Sequence, residues 1–149
     1  MARKYYQGKF KPRNPNKYRG DHTNIVYRSS WELKLMTRLD THPDVIWWMS
    51  EELIIPYRSP VDNKLHRYYV DAVVHLNNKD GKPETLMIEV KPKSQTIPPK
   101  KPSTITKRYI NEVFTWGVNE AKWKAAREYC ADRGWKFVLF TEHELNITK

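Results

Sequence analysis

The chain has 149 residues, of which 27 are Lys or Arg and 17 are Asp or Glu, and its formal net charge is +10. Its 39% hydrophobic and 13% aromatic residues exceed what a disordered chain contains, and its length suits one domain. The longest apolar runs are about five residues, far short of the roughly 20 that span a bilayer. The single cysteine, Cys130, excludes an intramolecular disulfide. We therefore expect a basic intracellular protein that binds no membrane.

Basic residues are concentrated in two segments, residues 1–20 and 91–108, which hold 13 of them and no acidic residue. The other 111 residues carry 14 basic and 17 acidic side chains, a net charge of −3. Such segregation favours binding to a phosphate backbone, although solubility alone is an alternative explanation. In the second segment the predicted phosphate contacts are Lys93, Lys100, Lys101, Lys107 and Arg108.

The first half of the chain predicts an extended arm followed by a helix and strands. Residues 1–20 contain Pro, Gly, Tyr and Asn but few aliphatic side chains, so they are assigned to a basic arm ahead of a single domain at 21–149. Ser29 and Glu32 have the spacing of a capping box, which predicts a helix that ends at 42–44. Strands are predicted over 45–48, 53–57 and 66–76, and another over 85–91 after a turn at 77–82.

The second half begins with a basic, proline-rich loop at 92–102. Helical periodicity then predicts one helix over about 105–116 and a second over about 119–132, with Gly134 at its end. The apolar run 135–140 is typical of a strand that is buried on both faces. This order of elements predicts a mixed α/β domain.

Two acidic residues in the predicted strands could share a site. If the strands pair antiparallel through the turn at 77–82, Asp71 and Glu89 approach on one sheet face, and Lys91 points the same way as Glu89. Two carboxylates and the Val90 carbonyl would form an oxygen-rich site for Mg²⁺ or Mn²⁺, which could activate water at a phosphodiester. A cross-strand surface cluster with no metal is the alternative.

Glu32 is the third acidic residue of interest, because it falls within the apolar arc of the first predicted helix. A carboxylate on a buried face needs a partner. Its capping box with Ser29 is one such partner, and a metal-bound water in the cleft with Asp71 is another. The two interpretations are compatible.

Three motifs together resemble the PD-(D/E)xK nuclease superfamily: Tyr27-Arg28-Ser29-Ser30-Trp31-Glu32, Arg67-Tyr68-Tyr69-Val70-Asp71 and Ile88-Glu89-Val90-Lys91-Pro92-Lys93. Val70 stands where Pro is common in that superfamily. Within that superfamily the chain resembles TnsA-type endonucleases and, more closely, the head completion nucleases of T-even-like tailed phages. The flanking matches that make this resemblance specific include residues 17–21, 55–57, 122–126 and 140–142.

This resemblance implies a restriction-endonuclease-like core, a mixed sheet flanked by helices. It implies Mg²⁺-dependent hydrolysis of double-stranded DNA, with Asp71 and Glu89 as metal-binding acids, Lys91 as the motif lysine and Glu32 as the acid of the first helix. The basic loop residues would then contact DNA, and no small-molecule cofactor is expected. For the phage family it further implies action on packaged DNA during head completion and head–tail joining, in the host cytoplasm and in the virion, beside head or neck proteins.

Two other functions remain open from the sequence. The chain could be a non-enzymatic basic structural protein of the phage head or neck with a vestigial site, which would bind no divalent ion. It could instead be a junction-resolving or repair nuclease on the same fold, which usually acts as a dimer.

Overall fold

The computed structural model describes residues 7–146, with a four-stranded mixed sheet between two helices. In chain order the elements are β1 (Gly8–Phe10), β2 (Ile25–Tyr27), α1 (Ser30–Thr41), β3 (Val45–Met49), β4 (Ile54–Arg58), β5 (Leu65–Tyr69), β6 (Ala72–Asn77), β7 (Pro83–Val90), α2 (Lys107–Arg133) and β8 (Lys136–Phe140). The sheet order is β3-β6-β7-β8, antiparallel except for the parallel pair β7–β8. The predicted α/β class with a restriction-endonuclease-like core is therefore confirmed.

The two faces of the sheet bury separate cores, because successive side chains of a strand point to opposite faces. On one face, Ala72, Val74 and Ile88 pack with the buried side of α1. On the other, Val73 and Met87 pack with the middle and end of α2. Both helices are thus held by the two central strands, which also carry the predicted acidic residues at their ends.

The predicted strand at 66–76 is divided in two, which corrects the sequence-based prediction. β5 pairs with β4 in a separate hairpin, whereas β6 pairs with β3 and β7 in the main sheet. Between them, Val70 donates its N–H to the Leu53 carbonyl and accepts from the Glu51 N–H, so the chain passes from one sheet to the other. Tyr68 and Val70 pack in the core on the α2 side, whereas Ala72 and Val74 pack in the core on the α1 side, so the buried face changes at this bend. Apolar residues nevertheless recur at every second position of the sequence, and the pattern therefore did not reveal the bend. The bend leaves Asp71 at the start of β6.

The two helices predicted over 105–116 and 119–132 are one continuous helix, α2. Gly117 lies inside this helix. An interior glycine destabilises a helix by only about 1 kcal/mol relative to alanine, so it does not by itself end one. A Cβ at Gly117 would meet Pro60 at 3.6 Å, so the helix runs close to the β4–β5 connection there. Gly134 ends the helix in the left-handed conformation, as predicted. No helix within residues 7–146 combines the length and the apolar character of a membrane span.

β8 is not buried on both faces as its apolar run predicted. Its side chains from Phe137 to Phe140 are half-buried, because β8 is an edge strand of the main sheet. It nevertheless aligns with β7 through the register pair Val90 and Phe140. The end of β7 that carries the candidate site is therefore supported by a neighbouring strand.

Much of the predicted N-terminal arm packs against the body of the domain. β1 pairs with β2, and the Tyr18 ring is buried against Trp48, with ring centroids 4.8 Å apart. Asp40, which is 1% exposed, accepts backbone N–H groups from Arg13 at 2.7 Å and Asn14 at 3.1 Å. Residues 1–6 of the arm lie outside the described residues, and the division at residue 20 stays a prediction.

Candidate active site

The β6–β7 hairpin sets Asp71 opposite Glu89. The turn at 78–82 joins the two strands, and the register pairs Ala72 with Ile88 at their open end. One step further out, Asp71 and Glu89 are the next opposing positions. The antiparallel pairing predicted from the sequence is confirmed, and with it the approach of these two carboxyl groups.

These acidic residues line a cleft of about 450 Å³ between the open end of the hairpin and the start of α1. All five residues predicted for the site contribute to it: Glu32, Asp71, Glu89, Val90 and Lys91. The other lining residues are Ser29, Ser30, Trp31 and Pro92. Residues from α1, from the bend before β6 and from the end of β7 thus meet in one place, although Glu32 and Lys91 are 59 positions apart along the chain.

Asp71 carries the strongest electrostatic perturbation of the cleft. Its side chain keeps some contact with solvent, yet burial raises its pKa well above the usual range for an aspartate. The charge of Glu89 and a hydrogen bond with Glu89 raise the pKa further, and the more distant Glu32 adds to this. The Val90 N–H, which donates to Asp71 Oδ2 at 2.8 Å, has the opposite effect. The pair therefore favours either a shared proton or a cation.

Glu89 is buried at 5% exposure and is held by a residue that the sequence did not suggest. Trp123 of α2 donates its indole N–H to Glu89 Oε2 at 3.0 Å. Trp123 lies at helical spacing with Ala126 and Cys130 on the buried side of α2 and is 3% exposed. Nothing in that spacing indicates where the polar edge of a core tryptophan points, so the sequence held no signal for this contact.

Tyr68 is the second unexpected neighbour of Glu89. Burial, followed by the charges of Glu89 and Asp71, raises its pKa. Its hydroxyl is buried, and no group of residues 7–146 meets hydrogen-bond geometry with it. The hydroxyl therefore lies close to Glu89, on the side of the cleft that faces α2.

Replacing Trp123 with Phe is expected to weaken the site more than a generic core substitution does. The variant keeps an aromatic ring but leaves Glu89 without its donor, which should cost about 1.5–3 kcal/mol of unfolding free energy. Urea unfolding would measure the loss. Trp135→Phe, which alters a half-buried tryptophan outside the cleft, is the control. A Trp123 variant that loses no more stability than the Trp135 variant would contradict a role in holding Glu89.

Glu32 takes part in the predicted capping box. Its backbone N–H donates to Ser29 Oγ at 3.1 Å, and the Ser29 hydroxyl donates to Glu32 Oε2 at 3.4 Å. Burial raises its pKa, a hydrogen bond from the Arg28 N–H opposes this, and the charge of Glu51 raises it further. Both hydrogen bonds to the carboxylate measure 3.4 Å, so they are long, and they leave this group able to turn towards the cleft.

Arg28 and Glu51 form a bidentate ion pair behind Glu32, with nitrogen–oxygen distances of 3.1 and 3.0 Å. Glu51 adopts a left-handed backbone conformation with φ of 55°, which non-glycine residues adopt rarely. Arg28 belongs to one of the sequence motifs, but nothing in the sequence indicated that Glu51, 23 positions away, would be its partner.

The donor set of the cleft fits a hard divalent cation. In a strand the N–H and C=O of one residue point to the same edge, and the Val90 N–H points to Asp71, so the Val90 carbonyl is directed to that side too. Two carboxylates and this carbonyl are oxygen ligands of the kind that Mg²⁺ and Mn²⁺ prefer. Within residues 7–146 no three His, Cys, Asp or Glu side chains group into a metal site by themselves. The backbone carbonyl and water would therefore have to complete the coordination.

The basic loop starts at this cleft. Lys91 lines it, and Lys93 follows with its side chain exposed and its backbone N–H donating to Glu142 Oε1 at 2.8 Å. Lys100, Lys101 and Lys107 are exposed, and Arg108 pairs with Glu112 at 3.1 Å. All the predicted phosphate contacts are thus accessible along one segment that begins beside the acidic residues.

Comparison with known proteins agrees with this geometry. The family model for the TnsA-like endonuclease N-terminal domain matches residues 42–142, which include Asp71, Glu89 and Lys91 but not Glu32. The head completion nuclease of Enterobacteria phage T4 is 44% identical over 144 residues, covering 94% of this chain and 93% of the T4 protein. The resemblance drawn from the motifs is confirmed, and the chain belongs to the TnsA-like endonuclease family.

Proposed function

We propose that this protein is a divalent-cation-dependent nuclease that hydrolyses phosphodiester bonds of double-stranded DNA in the cleft at the open end of the β6–β7 hairpin. The observation that carries the proposal is the register that sets Asp71 opposite Glu89, with Lys91 in the same cleft. Membership of an endonuclease family and the relation to a named nuclease support it.

In this mechanism Asp71, Glu89 and the Val90 carbonyl hold Mg²⁺ or Mn²⁺. When bound, the ion lowers the pKa of a water molecule and offsets the negative charge that develops on the phosphate. Lys91 places its ammonium group beside that phosphate and stabilises the same charge. Glu32 accepts a hydrogen bond from water in the cleft, and Trp123 keeps Glu89 oriented through its indole N–H.

The DNA backbone is proposed to follow the basic loop away from this cleft. Lys93, Lys100, Lys101, Lys107 and Arg108 are the contacts that we assign to it. Because the body of the chain is mildly acidic, DNA held on other surfaces would be repelled, and the basic segments set the direction of approach.

Neutralising part of this loop should lower the salt dependence of binding. In a variant carrying K100Q, K101Q, K107Q and R108Q, the slope of log K against log salt should fall by about 0.9 for each lost phosphate contact. Fluorescence anisotropy with duplex DNA in EDTA, over a range of salt concentrations, would measure it. Lys79→Gln and Lys82→Gln, exposed at the opposite end of the hairpin, serve as controls. An unchanged slope in the loop variant would mean that its charges act only on solubility.

The relative's name suggests when such an activity is used. The T4 protein is a head completion nuclease, and we propose that this chain likewise acts on packaged phage DNA during head completion, before heads join tails. The DNA would be cleaved in the host cytoplasm, at a filled head, and head or neck proteins would be the partners of this chain.

A cleavage assay tests the proposal. Purified protein is incubated with linear, nicked and overhang-bearing DNA in Mg²⁺, in Mn²⁺ and in EDTA. We expect cleavage with either ion and none in EDTA. Cleavage that persists in EDTA would exclude the metal mechanism, and absence of cleavage with both ions would exclude the nuclease.

A further inference from the structure

A second depression lies beside the cleft, between the proline-rich loop and the first half of α2. This groove measures about 820 Å³, within the range of about 300–1,000 Å³ typical of ligand sites. The helix contributes positions spaced three and four apart, and the loop covers them from one side. The helical residues are Arg108, Asn111, Glu112, Thr115, Trp116 and Asn119.

The base of this groove holds a polar side chain that lacks a protein partner. Asn119 is 6% exposed and lines the groove. Its side-chain amide makes no hydrogen bond with the described residues 7–146. The amide atoms are not among the fully buried polar atoms of that part of the chain, so they reach the open space of the groove. They are therefore available to a ligand.

The lining is suited to a nucleobase. Its one cation, Arg108, pairs with its one anion, Glu112, at 3.1 Å, so the lining has no net charge, while the exposed guanidinium still faces the proposed phosphate path. Asn111 and Asn119 each offer a donor and an acceptor, which the edge of a base can use. Trp116 is partly exposed and offers an indole surface on which a base can stack.

The groove is also connected to the cleft through side-chain contacts. Trp116 packs edge to face on Trp123, with ring centroids 5.8 Å apart, and Trp123 donates to Glu89. Along the chain, Lys91 and Pro92 line the cleft, and Ser94 and Gln95 line the groove. A DNA strand that leaves the cleft along the loop therefore reaches the groove directly, because the residues that line the two are neighbours in the loop.

From these observations we infer that the groove binds unpaired nucleotides of a DNA strand whose phosphates lie along the lysines of the loop. The inference rests on the proposed nuclease function and specifies its substrate as DNA with an unpaired segment, such as an overhang or a frayed end, next to the bond that is cut. Paired bases in a blunt duplex present neither their faces nor their pairing edges to the groove.

Binding measurements can test this without cleavage. Anisotropy in EDTA would compare a labelled single strand, an overhang duplex and a blunt duplex. Wild-type protein should prefer the first two. Trp116→Ala should weaken binding of these two by about 5- to 150-fold, the equivalent of one lost stacking contact, and change blunt-duplex binding less than twofold. Phe114→Ala, an exposed aromatic position on the same helix outside the groove, is the matched control.

Asn119→Ala separates ligand binding from a structural role, because Trp116 also touches Trp123. This variant should raise the thermal unfolding midpoint, since it introduces a better helix former. It should nevertheless weaken binding of the overhang duplex severalfold. A lowered midpoint would show that the amide is structural and overturn the inference.

Other outcomes would also overturn the inference. An equal loss of affinity for all three DNAs in the Trp116 variant would do so. No loss of affinity for any of them would do so too, and it would favour a protein segment as the occupant of the groove. The inference fails separately from the nuclease proposal, because a protein that cuts blunt DNA with Mg²⁺ yet shows no preference for unpaired DNA contradicts the groove alone.

Discussion

Asp71→Asn and Glu89→Gln are each expected to reduce Mg²⁺-dependent DNA cleavage by about 1,000-fold. A metal ligand supplies several kcal/mol of transition-state stabilisation, and every 1.36 kcal/mol corresponds to a factor of ten. Both substitutions keep the size of the side chain, so the hairpin register and the Trp123 contact with position 89 can persist. Initial rates on linear duplex DNA would measure the effect.

The Asp71→Asn substitution should not lower the stability of the folded protein. In the metal-free protein Asp71 carries a raised pKa, so its folded form holds a proton more tightly than the unfolded chain does. The stability that this proton provides is present at acidic pH and is lost as the pH rises through the folded pKa. Asp71→Asn should therefore be at least as stable as wild type at neutral pH, with the difference narrowing in mild acid.

Asp80→Asn is the matched control for these substitutions, because Asp80 is exposed in the turn at the other end of the same hairpin. It should cleave DNA at the wild-type rate. Cleavage by the Asp71 or Glu89 variant at the rate of the Asp80 variant would remove both residues from the active site.

Lys91→Ala is expected to lower the cleavage rate by about 100- to 1,000-fold, with a smaller effect on DNA affinity. The reason is that a charge aimed at the reacting phosphate matters most when negative charge develops there. Single-turnover rates at saturating protein would isolate this step from binding.

Lys93→Ala provides the comparison, since it removes the same charge two positions further along, where the side chain is exposed outside the cleft. That variant should lose affinity at low salt and keep its single-turnover rate. Equal effects of the two substitutions on the rate would mean that Lys91 acts only as one more phosphate contact.

The candidate cleft could be predicted from local signals because each of them fixes geometry at short range. Alternation in two strands and a turn of about six residues determine the register that opposes Asp71 to Glu89. The Ser29 and Glu32 capping box determines where α1 begins. These constraints act within a few residues, and they suffice to place three acidic side chains.

What the sequence did not reveal depends on contacts between distant segments. The indole N–H of Trp123 reaches Glu89 across 34 positions, and periodicity distinguishes buried from exposed residues without showing which polar atom meets which. The bend at Val70 moves the buried side chains from the core on the α2 side to the core on the α1 side, although apolar residues recur at every second position before and after it. Asp40 anchors the N-terminal segment by accepting two backbone N–H groups, which leave no mark in the sequence of that segment.

Calorimetric titration with Mn²⁺ tests directly whether Asp71 and Glu89 form one cation site. Wild-type protein and the Asp80→Asn control are predicted to bind the ion saturably. Substituting Asp71 by Asn and Glu89 by Gln together is predicted to abolish that binding while the protein stays folded. Saturable binding that survives the double substitution would contradict the assignment of the site, and a wild-type protein that binds no Mn²⁺ would leave a structural role in the phage head as the better account.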